Sequence, residues 1–432
     1  MTQPRTDLSQ DEIPRKWYNI LPDLPEQIPS YKDAETGKAM RNLPGIYTKT
    51  ASQLEFSENR WIDMPSEVTD QYVRHGRPTP LIRAHNLEEV LRTPARIYYK
   101  CEDLPPVGTF KTNTAIPQAY WAMKEGYHRT VFSGSTQTRT KFVHTIAARM
   151  FGLTPTLFMT RIECEKNREQ VFFLRHMLEA DLVESPSRRT ETGLKTLSEN
   201  PNHQGTRIIM EDEVLEEVRQ HKEAVVVVSS FLNHVLLTQT IIGLELQRQL
   251  ELIDERPSVL VASVGSGSHL HGLIAPFMRD RKTKGLIRFL AAESETSSKL
   301  ANGKYGYVTR QGPLALFRVK AYECDWKTTP PPIRGRGIQT RNTAPLLSFL
   351  RHLGIIDTRV YSKDETLIQG AAKLFLQTEG RLLAPESAYA IRAAIDEALD
   401  ARKGRDKTVI VASISGTAYL DFGEKKAYSG PG

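Results

Sequence analysis

From about residue 76 the chain alternates short apolar runs with longer stretches of helical spacing. The runs 96–102 (RIYYKCE), 130–134 (TVFSG), 155–159 (PTLFM), 181–184 (DLVE), 224–230 (AVVVVSS), 258–264 (SVLVASV), 288–292 (RFLAA) and 408–414 (TVIVASI) read as strands. Several are apolar at nearly every position, the pattern of strands buried on both faces of a parallel sheet. Residues 366–379 and 388–402 read as helices. In the second, Ile391, Ala394, Ile395, Ala398 and Leu399 recur on one apolar face. Strands and helices in alternation predict an α/β protein whose parallel sheets are covered by helices on both faces. Ligands of such folds sit beyond the carboxyl ends of the strands, so chemistry is expected in the residues that follow each apolar run.

Residues 1–45 are rich in proline and polar groups, except for Trp17-Tyr18-Asn19-Ile20-Leu21-Pro22. That stretch is apolar enough to lie on the body as an ordered arm. At about 100–200 residues per domain, the 432 residues suggest two or three domains or one two-lobed fold. The expected division is an arm and lead-in at 1–75, a first α/β lobe at 76–232 and a second at 233–432.

Composition narrows the function classes. With 39% hydrophobic and 25% charged residues the chain is not of the disordered kind. The net charge of +7 suits small anions as well as nucleic acid. The charged run Arg279–Lys284 has no interleaved aromatics and reads as a solvated loop, so nucleic acid is not an expected partner. No run approaches the roughly 20 apolar residues of a membrane span, and the polar start MTQPRTDLSQDE has no signal core. Cys101, Cys164 and Cys324 are too few and scattered for a disulfide framework or a structural zinc site, and no metal is expected. A reducing cytoplasm is the expected location.

Three segments at strand ends stand out. Ser263-Val264-Gly265-Ser266-Gly267-Ser268-His269 follows an apolar run and precedes a helical stretch. Small residues there let backbone N–H groups converge on an anion, or simply serve a tight turn. No lysine follows as in a nucleotide-triphosphate loop. Gly108-Thr109-Phe110-Lys111-Thr112-Asn113-Thr114-Ala115 places one lysine in a small polar segment. It is either an ordinary surface lysine or a desolvated amine of lowered pKa, ready to form a Schiff base. Ser413-Ile414-Ser415-Gly416-Thr417 puts hydroxyls at the end of a buried strand, which alone reads as a turn cap.

In this order and spacing the segments resemble fold-type II pyridoxal-phosphate enzymes, and more closely the tryptophan synthase β-chain family in its second, longer form. The resemblance runs over nearly the whole chain. It includes Trp17-Tyr18-Asn19-Ile20-Leu21, Arg60-Trp61-Ile62-Asp63, Gly76-Arg77-Pro78-Thr79-Pro80-Leu81, Leu232-Asn233-His234-Val235-Leu236-Leu237, Pro330-Pro331-Pro332-Ile333, Thr378-Glu379-Gly380, Ala384-Pro385-Glu386-Ser387-Ala388 and Ser415-Gly416. It implies two α/β lobes with pyridoxal 5'-phosphate between them and an amino acid substrate. It also implies a homodimer that has no need of an α-chain partner. Lys111 would hold the cofactor as a Schiff base and Asn113 would contact its ring oxygen. Gly265, Ser266, Gly267, Ser268 and His269 would form the phosphate loop. Glu386 would lie near the cofactor and Ser415 would meet its pyridine nitrogen. A hydroxyl cannot keep that nitrogen protonated as a carboxylate would, which favours elimination and β-replacement over transamination.

The sequence leaves the family pattern at the catalytic loop. The family carries Glu-Thr-Gly-Ala-Gly-Gln after the strand that ends here near Phe132, and its Glu is the acid–base group. The corresponding segment here is Gly134-Ser135-Thr136-Gln137-Thr138-Arg139, with Gly134 at the Glu and no carboxylate between Glu125 and Glu163. Ser133, Ser135, Thr136, Gln137, Thr138 and Arg139 are the expected substrate-binding set. Arg139 either points inward to hold an anionic group or faces solvent. Phe110, Ser266, His269, Tyr389 and Thr417 also depart from the family at the same site. The leading expectation is therefore a lyase or synthase acting at the β-carbon of an amino acid with a better leaving group than hydroxide, such as an O-acyl or O-phospho group, or with a nucleophile other than indole. The alternatives are tryptophan synthase activity itself, with Glu386 or water in the lost role, and a cofactor-binding homologue without chemistry.

Overall fold

The computed structural model describes residues 4–134, 138–279, 287–325 and 330–417, with Thr138 described by its backbone alone. Two parallel sheets organise it. The larger has seven strands in the order Arg5–Thr6, Leu81–Arg83, Arg96–Cys101, Val409–Ile414, Val259–Ser263, Arg288–Ser294 and Ile356–Tyr361. The last five run parallel, and the first two form an antiparallel edge. The smaller sheet is wholly parallel, in the order Ala224–Val226, Arg129–Ser133, Thr154–Thr160 and Asp181–Ser185. Every residue of Val259–Ser263 and Val409–Ile414 is buried, as their unbroken apolar runs require when helices pack on both faces. The helices Thr366–Glu379 and Ser387–Gly404 cover one side, and Leu260, Ala262 and Phe289 face a separate core on the other.

One expectation needs correction. The run 224–230 is a strand only over Ala224–Val226. Val228 gives its backbone to a side chain instead of a ladder. Its N–H donates to Gln118 Oε1 at 2.9 Å and its carbonyl accepts from Gln118 Nε2 at 2.7 Å. The sheets themselves are shared across residue 232, because Leu81–Arg83 and Arg96–Cys101 belong to the seven-stranded sheet. Arg96–Cys101 is almost entirely buried and needs a neighbour on each side. It finds Val409–Ile414 on one and Leu81–Arg83 on the other.

The arm is part of the core. Trp17, Tyr18 and Ile20 are buried, Trp17 meets Trp121 edge-on, and Lys16–Tyr18 pairs with Trp61–Asp63. Of the charged run 279–284 only Arg279 falls within the described residues. Among those residues no helix is long and apolar enough to cross a membrane. The three cysteines are buried free thiols.

The core also holds a buried ionic cluster. Arg77 pairs with Glu102 and Glu245, and Lys100 Nζ donates to Glu245 Oε2 at 2.8 Å, Gln249 Oε1 at 2.9 Å and the Thr79 carbonyl at 2.6 Å. Two cations face two carboxylates with little access to water, the condition under which a buried ion pair is tolerated.

Candidate active site

The parallel strands end at a common cavity. Arg96–Cys101 leads through a short loop to Lys111, at the start of the helix Thr112–Lys124. Val259–Ser263 leads to Gly265–Ser268, and Val409–Ile414 leads to Ser415. Lys111, Gly265, Ser266, Gly267, Ser268, His269, Ser415, Arg139 and Glu386 all line this cavity. The sheet explains the convergence. Ile414 lies beside Cys101, and Val259–Val261 beside Ile410–Ala412, so the three loops emerge at one edge.

The lysine is the chemically distinctive group. Its Nζ donates to Thr140 Oγ1 at 2.8 Å. Burial lowers its pKa from the usual lysine value to about 7. The Arg139 and Arg207 guanidiniums push the same way, against Glu386. About half the amine is thus unprotonated near neutral pH, the form that attacks a carbonyl. Arg139 points inward. Its Nη2 lies 2.7 Å from Glu386 Oε2, while Glu386 Oε1 accepts the Gly337 N–H at 2.8 Å.

The residues fit an aromatic aldehyde bearing a phosphate. The Ser415 hydroxyl is buried at the cavity wall, and its Oγ lacks a hydrogen-bond partner among the described residues. Such an atom is costly unless a ligand satisfies it. The backbone of Ser415 is fixed from both sides, its N–H donating to Ser387 Oγ and its carbonyl accepting from Ala384 N–H, each at 2.8 Å. Gly267 adopts φ +97°, and a Cβ there would meet Leu347 Cδ2 at 2.2 Å. A Cβ on Gly265 would stand 2.5 Å from the Gly337 carbonyl oxygen. Glycine at these two positions lets the loop take this shape, in which backbone N–H groups would hold a phosphate. Pyridoxal phosphate would be held by Lys111, by the Gly265–Ser268 loop and by Ser415.

Other expected site residues fall differently. Asn113 lies one layer behind the cavity, and its side chain is taken up by Arg77, Glu102 and Gln239. His269 stacks its ring on Phe110, centroids 4.1 Å apart and planes nearly parallel, and its Nε2 lies 2.7 Å from Ser413 Oγ. Burial pushes its pKa down to about 3, so it is a neutral wall. Ser133 lines an adjoining chamber and donates to Glu211 Oε1 at 3.0 Å. Ser135, Thr136 and Gln137 lie outside the described residues, and Thr138 begins the helix Thr138–Met150. Tyr389 stands behind the cavity with its hydroxyl donating to Glu365 Oε1 at 2.9 Å. The lining also includes Thr109, Thr140, Ser230 and Ser387, hydroxyls to which the family resemblance assigns no role.

Gly134 has little room for a side chain. It is buried, and a Cβ there would lie 2.8 Å from Met159 Cγ, 2.9 Å from Leu157 Cδ1 and 3.3 Å from the Phe158 carbonyl oxygen. Its N–H donates to that same carbonyl at 2.7 Å. Gly134 therefore presses against the neighbouring strand and does not line the cavity.

Known proteins fit this geometry. Residues 73–416 match the family model described as pyridoxal-phosphate dependent enzyme. The chain is 39% identical over 417 residues to tryptophan synthase beta chain 2 of Methanothermobacter thermautotrophicus, covering 96% of each chain. It is 40% identical over 419 residues to tryptophan synthase beta chain of Pyrococcus horikoshii, covering 96% of this chain and 90% of that one. Tryptophan synthase beta chain 1 of Sulfurisphaera tokodaii is 40% identical over 421 residues, with 96% and 97% covered. The crystal structure of a threonine deaminase from T.th. superimposes with a TM-score of 0.58 at 18% identity, covering 82% of this chain and 97% of that one.

Proposed function

The chain belongs to the pyridoxal-phosphate-dependent enzymes, within the tryptophan synthase β-chain family, and from that premise we propose that it catalyses β-elimination or β-replacement on an amino acid whose leaving group is better than hydroxide. The cofactor, once bound, draws electrons from the α-carbon of an amino acid joined to it. The residues of this chain do the rest. Lys111 Nζ, its pKa lowered to about 7 by burial, would hold the cofactor and would act as the base that takes the α-proton. The Ser415 hydroxyl would meet the ring nitrogen without holding it protonated. Thr140 Oγ1 accepts from the amine, and the hydroxyls of Thr109 and Ser230 line the same cavity.

The observation that carries the reading is the missing proton donor. Gly134 stands where the family's acid–base Glu is expected and has little room for a side chain. Among the described lining residues of the main cavity the carboxylate is Glu386, and both its oxygens are engaged, by Arg139 and the Gly337 N–H. General acid help to a departing hydroxide contributes about 10²–10⁴-fold. A donor that leaves as carboxylate or phosphate does not need it.

The test compares cofactor-loaded protein on L-serine with indole and on O-acetyl- and O-phospho-L-serine, following product by mass spectrometry. The activated donors are expected to be turned over at least about 10²-fold faster. Turnover of serine plus indole at the rate of a tryptophan synthase would sink the reading in favour of ordinary tryptophan synthase activity, which the near full-length identity favours. A cofactor band that no amino acid alters would mark a homologue without chemistry. In keeping with the family resemblance, the working form is a homodimer in the cytoplasm that functions without an α-chain. Light scattering on the purified protein checks the dimer.

A further inference from the structure

A second chamber opens off the lysine cavity, sharing Lys111, Thr140, Ser230 and Ser266 with it. Part of its wall is apolar, with Val226, Val227 and Leu314. Among the described residues the rest of the lining includes the guanidiniums of Arg207, Arg310 and Arg336 and the carboxylate of Glu211. Glu211 is already engaged. Its Oε1 accepts from Ser133 at 3.0 Å and lies 3.6 Å from Arg207 Nε.

Arg310 is the unusual member. Its guanidinium stacks over the Phe231 ring, with Cζ 4.4 Å from the centroid. Its Nη1 is sealed from solvent and has no hydrogen-bond partner among the described residues. Burial and the neighbouring Arg207 lower its pKa to about 10, so it remains charged at neutral pH. A sealed guanidinium nitrogen with no acceptor is expensive. An oxyanion in the chamber would offset the charge of the guanidinium in its wall, in the planar or tetrahedral geometry a guanidinium matches, which an apolar reactant would not. Arg336 is exposed and Arg207 half-exposed, which gives an entering anion a path of positive potential.

We propose that this chamber seats an oxyanion (carboxylate, phosphate or phosphonate) carried by the group exchanged at the substrate's β-carbon, with Arg310 as the specificity-determining residue. The inference rests on the β-replacement reading and deepens it by naming the charge of the exchanged group.

Cofactor-loaded protein, its phosphate loop filled, is titrated with inorganic phosphate by calorimetry. Saturable binding is expected, weakened at least about tenfold in Arg310→Gln and partly restored in Arg310→Lys, with the cofactor absorption unchanged. Arg336→Gln, an exposed substitution with little risk to folding, is expected to weaken binding by a smaller factor. Absence of saturable binding, or equal binding by wild type, Arg310→Gln and Arg336→Gln, overturns the proposal. Kinetics then identify the source of the anion. A raised KM for O-phospho-L-serine but not O-acetyl-L-serine in Arg310→Gln places it on the leaving group. Unchanged elimination from both, with lost addition of a phosphonate-bearing thiol, places it on the entering group. An Arg310→Gln variant unaltered in all of these overturns the proposal. Failure of the β-replacement reading shows separately, as a wild-type cofactor band that no amino acid perturbs, while the phosphate titration still decides the chamber.

Discussion

Lys100, buried, and Lys111, half-buried at the cavity, sit eleven positions apart and have opposite fates. Lys100 directs its ammonium at one carboxylate, one amide oxygen and one backbone carbonyl, so all three of its donors are used. Burial lowers its pKa, but Glu245 and Glu102 oppose the shift. Lys111 is lowered by burial too, and there Arg139 and Arg207 add to the effect, against Glu386. Desolvation is common to both. The charges around them separate a structural cation from a reactive amine.

The sharpest test exchanges the two roles. Lys111→Ala should abolish the covalent cofactor band without lowering the melting temperature. Lys100→Met should leave Glu245 short of a buried cation and lower stability by about 3–5 kcal/mol, read by urea denaturation. If both variants fold equally well, the contrast between the two lysines fails.

Gly134→Glu should lower stability by about 1–3 kcal/mol through overpacking against Met159 and Leu157. It should not raise serine-plus-indole turnover.

Proton linkage gives a finer test. Folded Lys111 titrates near 7, against about 10.4 when unfolded. Between these values the unfolded chain binds more protons, so stability of the cofactor-free protein should rise with pH from about 7 to about 10. Lys111→Ala should flatten that slope in denaturation curves taken across the window. The rate of cofactor attachment should rise with pH with a midpoint near 7. Arg139→Gln should move that midpoint up and Glu386→Gln should move it down, because the two groups act on the amine with opposite sign.

The smallest effect is expected at Ser415→Ala. Its hydroxyl has no partner to lose among the described residues, so stability should stay within about 0.5 kcal/mol. Cofactor affinity should fall, which equilibrium dialysis would register.

How much of the fold and site is legible in the sequence depends on how local each cause is. The fully buried strands announce themselves because Val259–Ser263 and Val409–Ile414 are apolar throughout. The glycine-rich turn and Lys111 follow directly from strand ends. Ile356–Tyr361, by contrast, has no clean pattern, because Asp, Thr and Arg interrupt an edge strand that needs only partial burial. The apolar run at 224–230 is cut short as a strand by Gln118, a side chain more than a hundred positions away. The family resemblance assigns Asn113 to the cofactor, but Arg77 and Gln239 occupy it, and neither lies near it in sequence. The arginine chamber has no local signal at all. Arg207, Arg310 and Arg336 each resemble any surface arginine until the fold gathers them.

The pairing of Arg96–Cys101 with Val409–Ile414 also dictates when the site comes into being. The strand that delivers Lys111 and the one that delivers Ser415 are about 300 residues apart in the chain, yet they lie side by side. At ribosomal speeds of about 5–20 residues per second, Lys111 emerges roughly 15–60 s before its neighbouring strand exists. Throughout that interval the nascent chain has an open sheet edge and no cofactor pocket. Cofactor capture is therefore a post-synthetic event, and a chain cut short before residue 409 would be left with an unpaired strand as well as an inactive site.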